Sequence, residues 1–176
     1  MTDLDPVEVS NLDIYGSAPL EWSRARALLS DTKGPEVTHF LSTVGPDGRP
    51  HIAGIGALWF DGDLYVVSGE RTRKSKNIAA NPACAVAVRL PGMDVTLEGT
   101  AARVMDAQTL ERLAAEYRRV GWPAQVDPEA RAFTAPYSAP SAGPPPWQVH
   151  RFTFDTAFAV ASAEPHGATR WRFARS

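Results

Sequence analysis

The stretch "HIAGIGALWFDGDLYVVSGERTRKSKNIAANP", residues 51–82, decides how this chain folds. Through 51–60 and again through 64–69 the apolar residues follow the two-residue period of a strand. Asp61 and Gly62 stand between the two runs, and an Asp-Gly pair tolerates the positive φ that a tight hairpin turn requires. After Gly69 the period changes. Thr72 suits the N-cap of a short helix over "RKSKNIAA", and Asn81-Pro82 ends that helix, because a residue before proline avoids the αR region. The segment therefore predicts strand, hairpin, strand and helix, with Arg71, Arg73, Lys74 and Lys76 crowded at the helix start.

Working outward, "VTHFLSTVG" (37–45) reads as a strand and "PDGR" (46–49) as a turn. "PHIAGIGALWF" (50–60) is then one strand of a three-stranded meander. Its alternation sets Ile52, Gly54, Gly56, Leu58 and Phe60 on one face, and His51, Ala53, Ile55, Ala57 and Trp59 on the other. Upstream, Trp22, Ala25, Leu28 and Leu29 recur at helical spacing, and residues 1–18 form a polar, poorly patterned arm ahead of a single domain, 19–176. Downstream, "ACAVAVRL" (83–90) and "VTLEGTAARVM" (95–105) are strands. Asp106 caps a helix whose apolar face is Leu110, Leu113, Ala114, Tyr117 and Val120, and Gly121 stops it. Residues 122–146 read as loop, with five prolines in "TAPYSAPSAGPPP" (134–146) imposing a stiff, extended path. "WQVHRFTFDTAFAVASA" (147–163) and "ATRWRF" (168–173) return to strand. The sum is a mainly β, α+β chain: an antiparallel Greek-key barrel of six to seven strands with flanking helices.

Composition narrows the function. With 44% hydrophobic and 22% charged residues, 176 residues suffice for one packed core. A net charge of −2 argues against a dedicated nucleic-acid binder. No apolar run approaches the ~20 residues of a membrane span. The acidic N-terminus lacks the pattern of a signal peptide, and the lone Cys84 has no disulfide partner, so a reducing cytoplasm is the expected setting. His39, His51, His150 and His166 are scattered without metal-ligand spacing, so no metal site is expected. Nucleophile-elbow and glycine-rich nucleotide motifs are absent, Glu98 has no carboxylate partner, and Cys84 between alanines reads as a small core residue. If the chain is an enzyme, a cofactor carries the reaction.

The cations have two readings, a solvated face or an anion site. Three features favour the anion. Like charges at a helix start oppose the macrodipole by ~0.3–1 kcal/mol each, where stability alone would select Asp or Glu. Free N–H groups there suit a phosphate, and Thr72 and Ser75 add hydroxyls. The cations also follow a strand end directly, with Arg73, Lys76 and Asn77 spaced to share a face above Ile78 and Ala79. Arg73 can hold a phosphate through two hydrogen bonds.

The order of strand, "PDGRP" turn, strand, "DGD" hairpin, "LYVVS" strand, "TRK" helix, "NP", strand and "VTLEGTAARV" resembles the pyridoxamine 5′-phosphate oxidase-like superfamily of flavin and deazaflavin oxidoreductases. The likeness is best over about residues 36–105. It implies a split β-barrel, and FMN or the deazaflavin F420 in grooves at a homodimer interface. It further implies that Thr72, Arg73 and Lys74, with Lys76 nearby, hold the cofactor phosphate. Val67 and Ser68 would contact the ring or ribityl chain, and Gly56, Ala57, Leu58 and Trp59 would run beside the isoalloxazine. The C-terminal segment does not match the substrate-phosphate pattern of true pyridoxamine phosphate oxidases. The proline-rich loop is an addition placed to cover or narrow the pocket.

Two classes of function follow from the resemblance. One is an oxidoreductase passing a hydride between FMN or F420 and a small organic substrate, with His51 and Tyr65 as candidate proton donors. The other is a non-catalytic FMN, F420 or haem carrier, for which His150 or His166 would be considered as an iron ligand, against the blander reading of a surface histidine. Trp147 and Trp171 read as core residues ahead of ligand-stacking ones. Neither a nucleic acid nor a membrane is an expected partner.

Overall fold

Gly56 divides what reads in the sequence as a single strand. The structure is a computed structural model and describes residues 4–31, 37–138 and 142–174. Its first half contains β1 (Glu8–Asn11), α1 (Trp22–Asp31), β2 (His39–Val44), β3 (Pro50–Ile55), β4 (Ala57–Phe60), β5 (Asp63–Gly69) and α2 (Arg73–Ala80). The second half contains β6 (Ala83–Leu90), β7 (Met93–Arg103), α3 (Ala107–Arg119), β8 (Gln125–Asp127), β9 (Ala132–Thr134), β10 (Trp147–Ala161) and β11 (Gly167–Arg172). Every strand pair is antiparallel, in the order β1-β11-β10-β7-β6-β2-β3, with β4 pairing β5 and β5 pairing β10.

The break at Gly56 is what splits the barrel. β3 stays with β2, whereas β4 leaves to pair with β5. Side-chain parity survives the change of partner: Ile55, Ala57 and Trp59 all pack on the main core, while Leu58 and Phe60 belong to a second cluster. β10 joins the halves. Its residues 147–152 pair with β5, 156–161 pair with β11, and β7 runs along its other side. The register of the β7 ladder shifts between Phe154 and Thr156, where the neighbour changes from β5 to β11, and the Asp155 carbonyl accepts from Phe173 N at 2.8 Å. A bulge there lets one strand bend from one half-sheet into the other.

The barrel interior is filled by Leu41, Leu64, Met93, Leu97, Phe152 and Phe154, and α1 closes one side with Trp22, Ala25 and Leu29. The Trp22 ring lies 5.4 Å from Trp171 and 4.8 Å from Phe173, centroid to centroid. Trp147 and Trp171 are both 1% exposed and are core residues. α3 roofs the second cluster. Asp106 accepts from Thr109 N at 2.7 Å as its cap, Leu110 and Leu113 cover Leu58, Phe133 and Val149, and the Tyr117 hydroxyl donates to the Tyr65 carbonyl at 3.1 Å.

The fold is the split barrel that the sequence predicts, with more strands than six or seven. One extra comes from the break at Gly56. Another is β1, which lies within the expected arm and pairs with β11, a partner that only the tertiary fold brings near. The last two are β8 and β9, a hairpin inside the expected loop, anchored by buried Phe133 and turned at Asp127, whose carboxylate accepts from Glu129 N and Ala130 N. Of the five prolines, Pro140 lies outside the described residues, as do residues 1–3 of the arm.

Candidate functional site

Ser68 is the last interior-facing residue of β5 before the chain turns into α2, and its hydroxyl lies 2.8 Å from that of Thr72. Thr72 caps the helix: its Oγ1 accepts from Ser75 N at 3.3 Å and donates to the Gly69 carbonyl at 2.9 Å. A strand end and a helix start are thus tied through two hydroxyls, which fixes where the first N–H groups of α2 point.

On this eight-residue helix, positions 74, 77 and 78 share one face by helical spacing. Lys74, Ser75, Asn77 and Ile78 are buried, while Arg73, Lys76 and Ala79 are exposed. The face predicted from sequence is corrected at two positions. Asn77 turns inward rather than joining Arg73 and Lys76, and Ala79 faces out rather than beneath. The reason is an amide partner in the barrel: Asn77 Nδ2 donates to Thr43 Oγ1 at 3.0 Å, and Thr43 is fully buried. A buried amide is tolerated when it is bonded in this way.

The cations divide into two kinds. Lys74 is 7% exposed, and burial holds its ammonium below the usual lysine range. Arg71, Arg73 and Lys76 are exposed, and none forms an ion pair among the described residues. The Arg73 guanidinium reaches back to the β2–β3 turn, with Nη2 3.9 Å from where a Cβ on Gly45 would stand. Beside the helix start, Gly69–Thr72 and Ala142–Pro146 face one another across an open groove of about 450 Å³. Gly69 is required there, because a Cβ on it would run into the Ala142 carbonyl. The proline-rich segment is thereby seated at the cation site, and the Trp147 indole N–H donates to the Gly143 carbonyl at 2.9 Å to hold it.

The remaining predicted residues lie along β4 and β5. Gly56 is exposed at the strand break, and a Cβ added there meets no atom within 4 Å. Ala57 is half-buried opposite Val66. Leu58 is 6% exposed under α3, and the Trp59 ring packs 5.9 Å from Phe154, so both side chains are spent on core contacts. Their backbone is different: among the described residues β4 has β5 on one side and no strand on the other. That free edge offers N–H and C=O groups to a flat polar ring. Val67 is half-buried opposite Val149, and Ser68 is buried opposite Gln148. The structure therefore brings Ser68, Thr72, Arg73 and Lys74 together, with Gly56 and Ala57 alongside β5 and Lys76 further along α2, whereas the Val67 side chain packs on the second cluster, on the opposite face of β5 from Ser68.

Of the two proton-donor candidates, His51 sits opposite Thr43 on the barrel side of β3. Tyr65 belongs to the second cluster under α3, on the opposite face from Ser68, and burial raises its pKa. His166 is exposed beside Glu164. His150 is not a surface residue. It is 3% exposed, and burial first, then the charges of Arg103 and Lys74, pushes its pKa down to about 4. The signal for this was the alternation of His150 with Phe152 and Phe154 along one face of β10.

The donor set fits a phosphate-bearing group: Arg71 and Arg73, which form no ion pair among the described residues, flank the Thr72 capping hydroxyl and the first N–H groups of α2. Residues 29–161, well over half the chain, match the family model described as pyridoxamine 5′-phosphate oxidase. No curated protein sequence matches the chain. Among solved structures, a conserved hypothetical protein from Mycobacterium tuberculosis is similar with a TM-score of 0.62 at 14% identity, over 84% of this chain and 88% of that one. A pyridoxamine 5′-phosphate oxidase-related, FMN-binding protein from Nostoc punctiforme gives 0.57 at 20% identity, over 90% and 92%. A protein described as an F420 reductase gives 0.51 at 21% identity, over 75% and 94%. At such identities the likeness to these structures is one of fold.

Proposed function

The chain belongs to the pyridoxamine 5′-phosphate oxidase-like, FMN-binding split-barrel family, and from that premise we propose that it is an oxidoreductase working with a phosphate-bearing flavin or deazaflavin, FMN or F420. The observation that carries this reading is the start of α2, where Arg71 and Arg73 beside the Thr72 cap, and Lys76 further along, have no acidic partner among the described residues. When bound, the cofactor supplies hydride transfer to or from a small organic substrate. The protein's part is to bind and orient. Thr72, Arg73 and Lys74 hold the phosphate, Ser68 and the backbone at Val67 line the chain that leads away from it, and the free edge of β4 from Gly56 to Trp59 meets the ring. Ala142–Pro146 narrows the approach and limits water.

A homodimer completes this reading. Phe40 and Ile52 are 49% and 65% exposed on the outer face of β2 and β3, with Gly54 and Ala87 in register beside Phe40. An apolar sheet face of this kind suits a second copy of the chain, and a groove between copies has two walls. The test begins with titration of the purified protein by FMN and by F420, followed by absorbance and fluorescence. Tight binding of one, weakened at least ~10-fold in Arg73→Ala through loss of a charge-assisted contact, supports the assignment and names the cofactor. Equal affinity in variant and parent sinks the phosphate site, and stable binding without turnover of any acceptor indicates a carrier. Light scattering on Ile52→Glu reads the dimer: an unchanged mass overturns this interface.

A further inference from the structure

His150 combines deep burial with a ring that has no hydrogen-bond partner among the described residues. Its ring is 3% exposed, its Nδ1 is fully enclosed, and neither ring nitrogen has a partner among the described residues. Buried polar groups in folded proteins are nearly always paired, so an orphaned imidazole calls for an explanation. Its position supplies one. On β10 it points into the barrel, between Gln148, which lies opposite Ser68, and Phe152 of the core. Ser68 in turn touches the Thr72 cap, so His150 lies one pleat repeat, roughly 7 Å, along β10 from the Gln148–Ser68 pair that adjoins the helix start. Two charges bear on it, Arg103 from β7 and Lys74 from α2, both positive, and no carboxylate among the described residues offsets them.

We propose that His150 is the proton-coupled floor of the anion site: occupation of the α2 start by the cofactor phosphate is accompanied by uptake of one proton from solvent onto the His150 imidazole. This rests on the phosphate reading given above. In the free protein, burial and two cations keep the ring neutral. A phosphate held by Lys74 reverses the sign of the local potential, and Coulomb interactions in a water-poor site are strong enough to shift the ring's protonation. The orphaned nitrogen then carries a charge that the bound anion balances. His150 is thus a positioning residue that makes affinity depend on pH, distinct from the cations that supply the binding itself.

The experiment is calorimetric titration of the full chain with FMN and with F420 between pH 5 and pH 6.5, in buffers of different ionisation enthalpy. The intercomparison yields the protons exchanged per site, and the same series is run on His150→Gln. The phosphate's own ionisation contributes equally to both proteins, so the difference isolates the ring. Expected is uptake approaching one proton more in the parent than in the variant, with the variant's affinity lower at pH 5 by about tenfold and closer to the parent at pH 7. If the variant does not fold, ¹⁵N-histidine spectra of the parent give the same answer: the His150 ring is neutral when free and charged when saturated at pH 5.5. Equal proton exchange in parent and variant, or a ring that stays neutral in the complex, overturns the inference and leaves the phosphate site standing. Failure of both cofactors to bind overturns the phosphate site and this inference with it.

Discussion

Acid should destabilise this protein through His150, and the size of the effect follows from the structure. The ring titrates near pH 4 when folded, against 6.5 for an ordinary histidine. The unfolded chain therefore binds a proton between those values that the folded chain refuses. Stability is unaffected above pH 6.5, falls as pH drops through that value, and stops falling below pH 4. At roughly 1.4 kcal/mol for each pH unit, the total is about 3 kcal/mol, a large share of the 5–15 kcal/mol typical of a domain. His39 is shifted in the same direction by burial and adds to the slope. Replacing His150 by Gln removes its contribution and leaves that of His39 and every carboxylate in place. Urea unfolding of both proteins at pH 7, 6, 5 and 4 should show the parent losing about 3 kcal/mol more than the variant. Parallel pH profiles would refute the reasoning, because they would mean that His150 accepts a proton as readily folded as unfolded.

Thr72→Ala removes the α2 cap and leaves the Ser68 hydroxyl without its neighbour, so the urea midpoint should fall by the equivalent of ~1 kcal/mol; no change would show that α2 is held by packing alone. Gly69→Ala drives a methyl into the Ala142 carbonyl. It is expected to cost about 1–3 kcal/mol and to loosen the proline-rich segment, read as a lower Tm with faster proteolysis at 142–146. A Tm equal to the parent's would exclude that contact. Cys84 is half-buried, with burial pushing its thiol up to about 12. A disulfide reagent at pH 8 should label it far more slowly than a free cysteine, because little thiolate is present, and labelling at the free-cysteine rate would contradict the raised pKa.

The features legible in the sequence are those whose cause is local. Asp61 and Gly62 adopt φ of 54° and 84°, as an Asp-Gly hairpin requires, and Thr72 and Asp106 cap the helices predicted for them. The features that escaped depend on partners far along the chain. β1 exists because β11 lies beside it, and β8 and β9 are three residues each, too short for a period to declare itself. The break at Gly56 hides for a subtler reason: the alternation of side chains runs through it unbroken while the hydrogen-bond partner changes. At the site, the cation cluster was visible as residue types. The inward turn of Asn77 was not, because it is set by Thr43, 34 positions away. The burial of His150 is visible in the alternation of β10, but histidine as a residue type is intermediate in burial and does not by itself announce an interior position.

The dependence of both half-sheets on β10 has a consequence for how the chain is made. A ribosome delivers residues in order, and β5 and β7 emerge long before residues 147–161 that pair with them. Until then each presents an open, unpaired edge, and such edges recruit other chains. Nascent protein should therefore be most prone to misassociation during synthesis of the stretch from α3 through the proline-rich segment. A stop codon placed ahead of Trp147 should yield aggregates rather than a smaller barrel, since long-range pairings of this kind cannot form piecemeal.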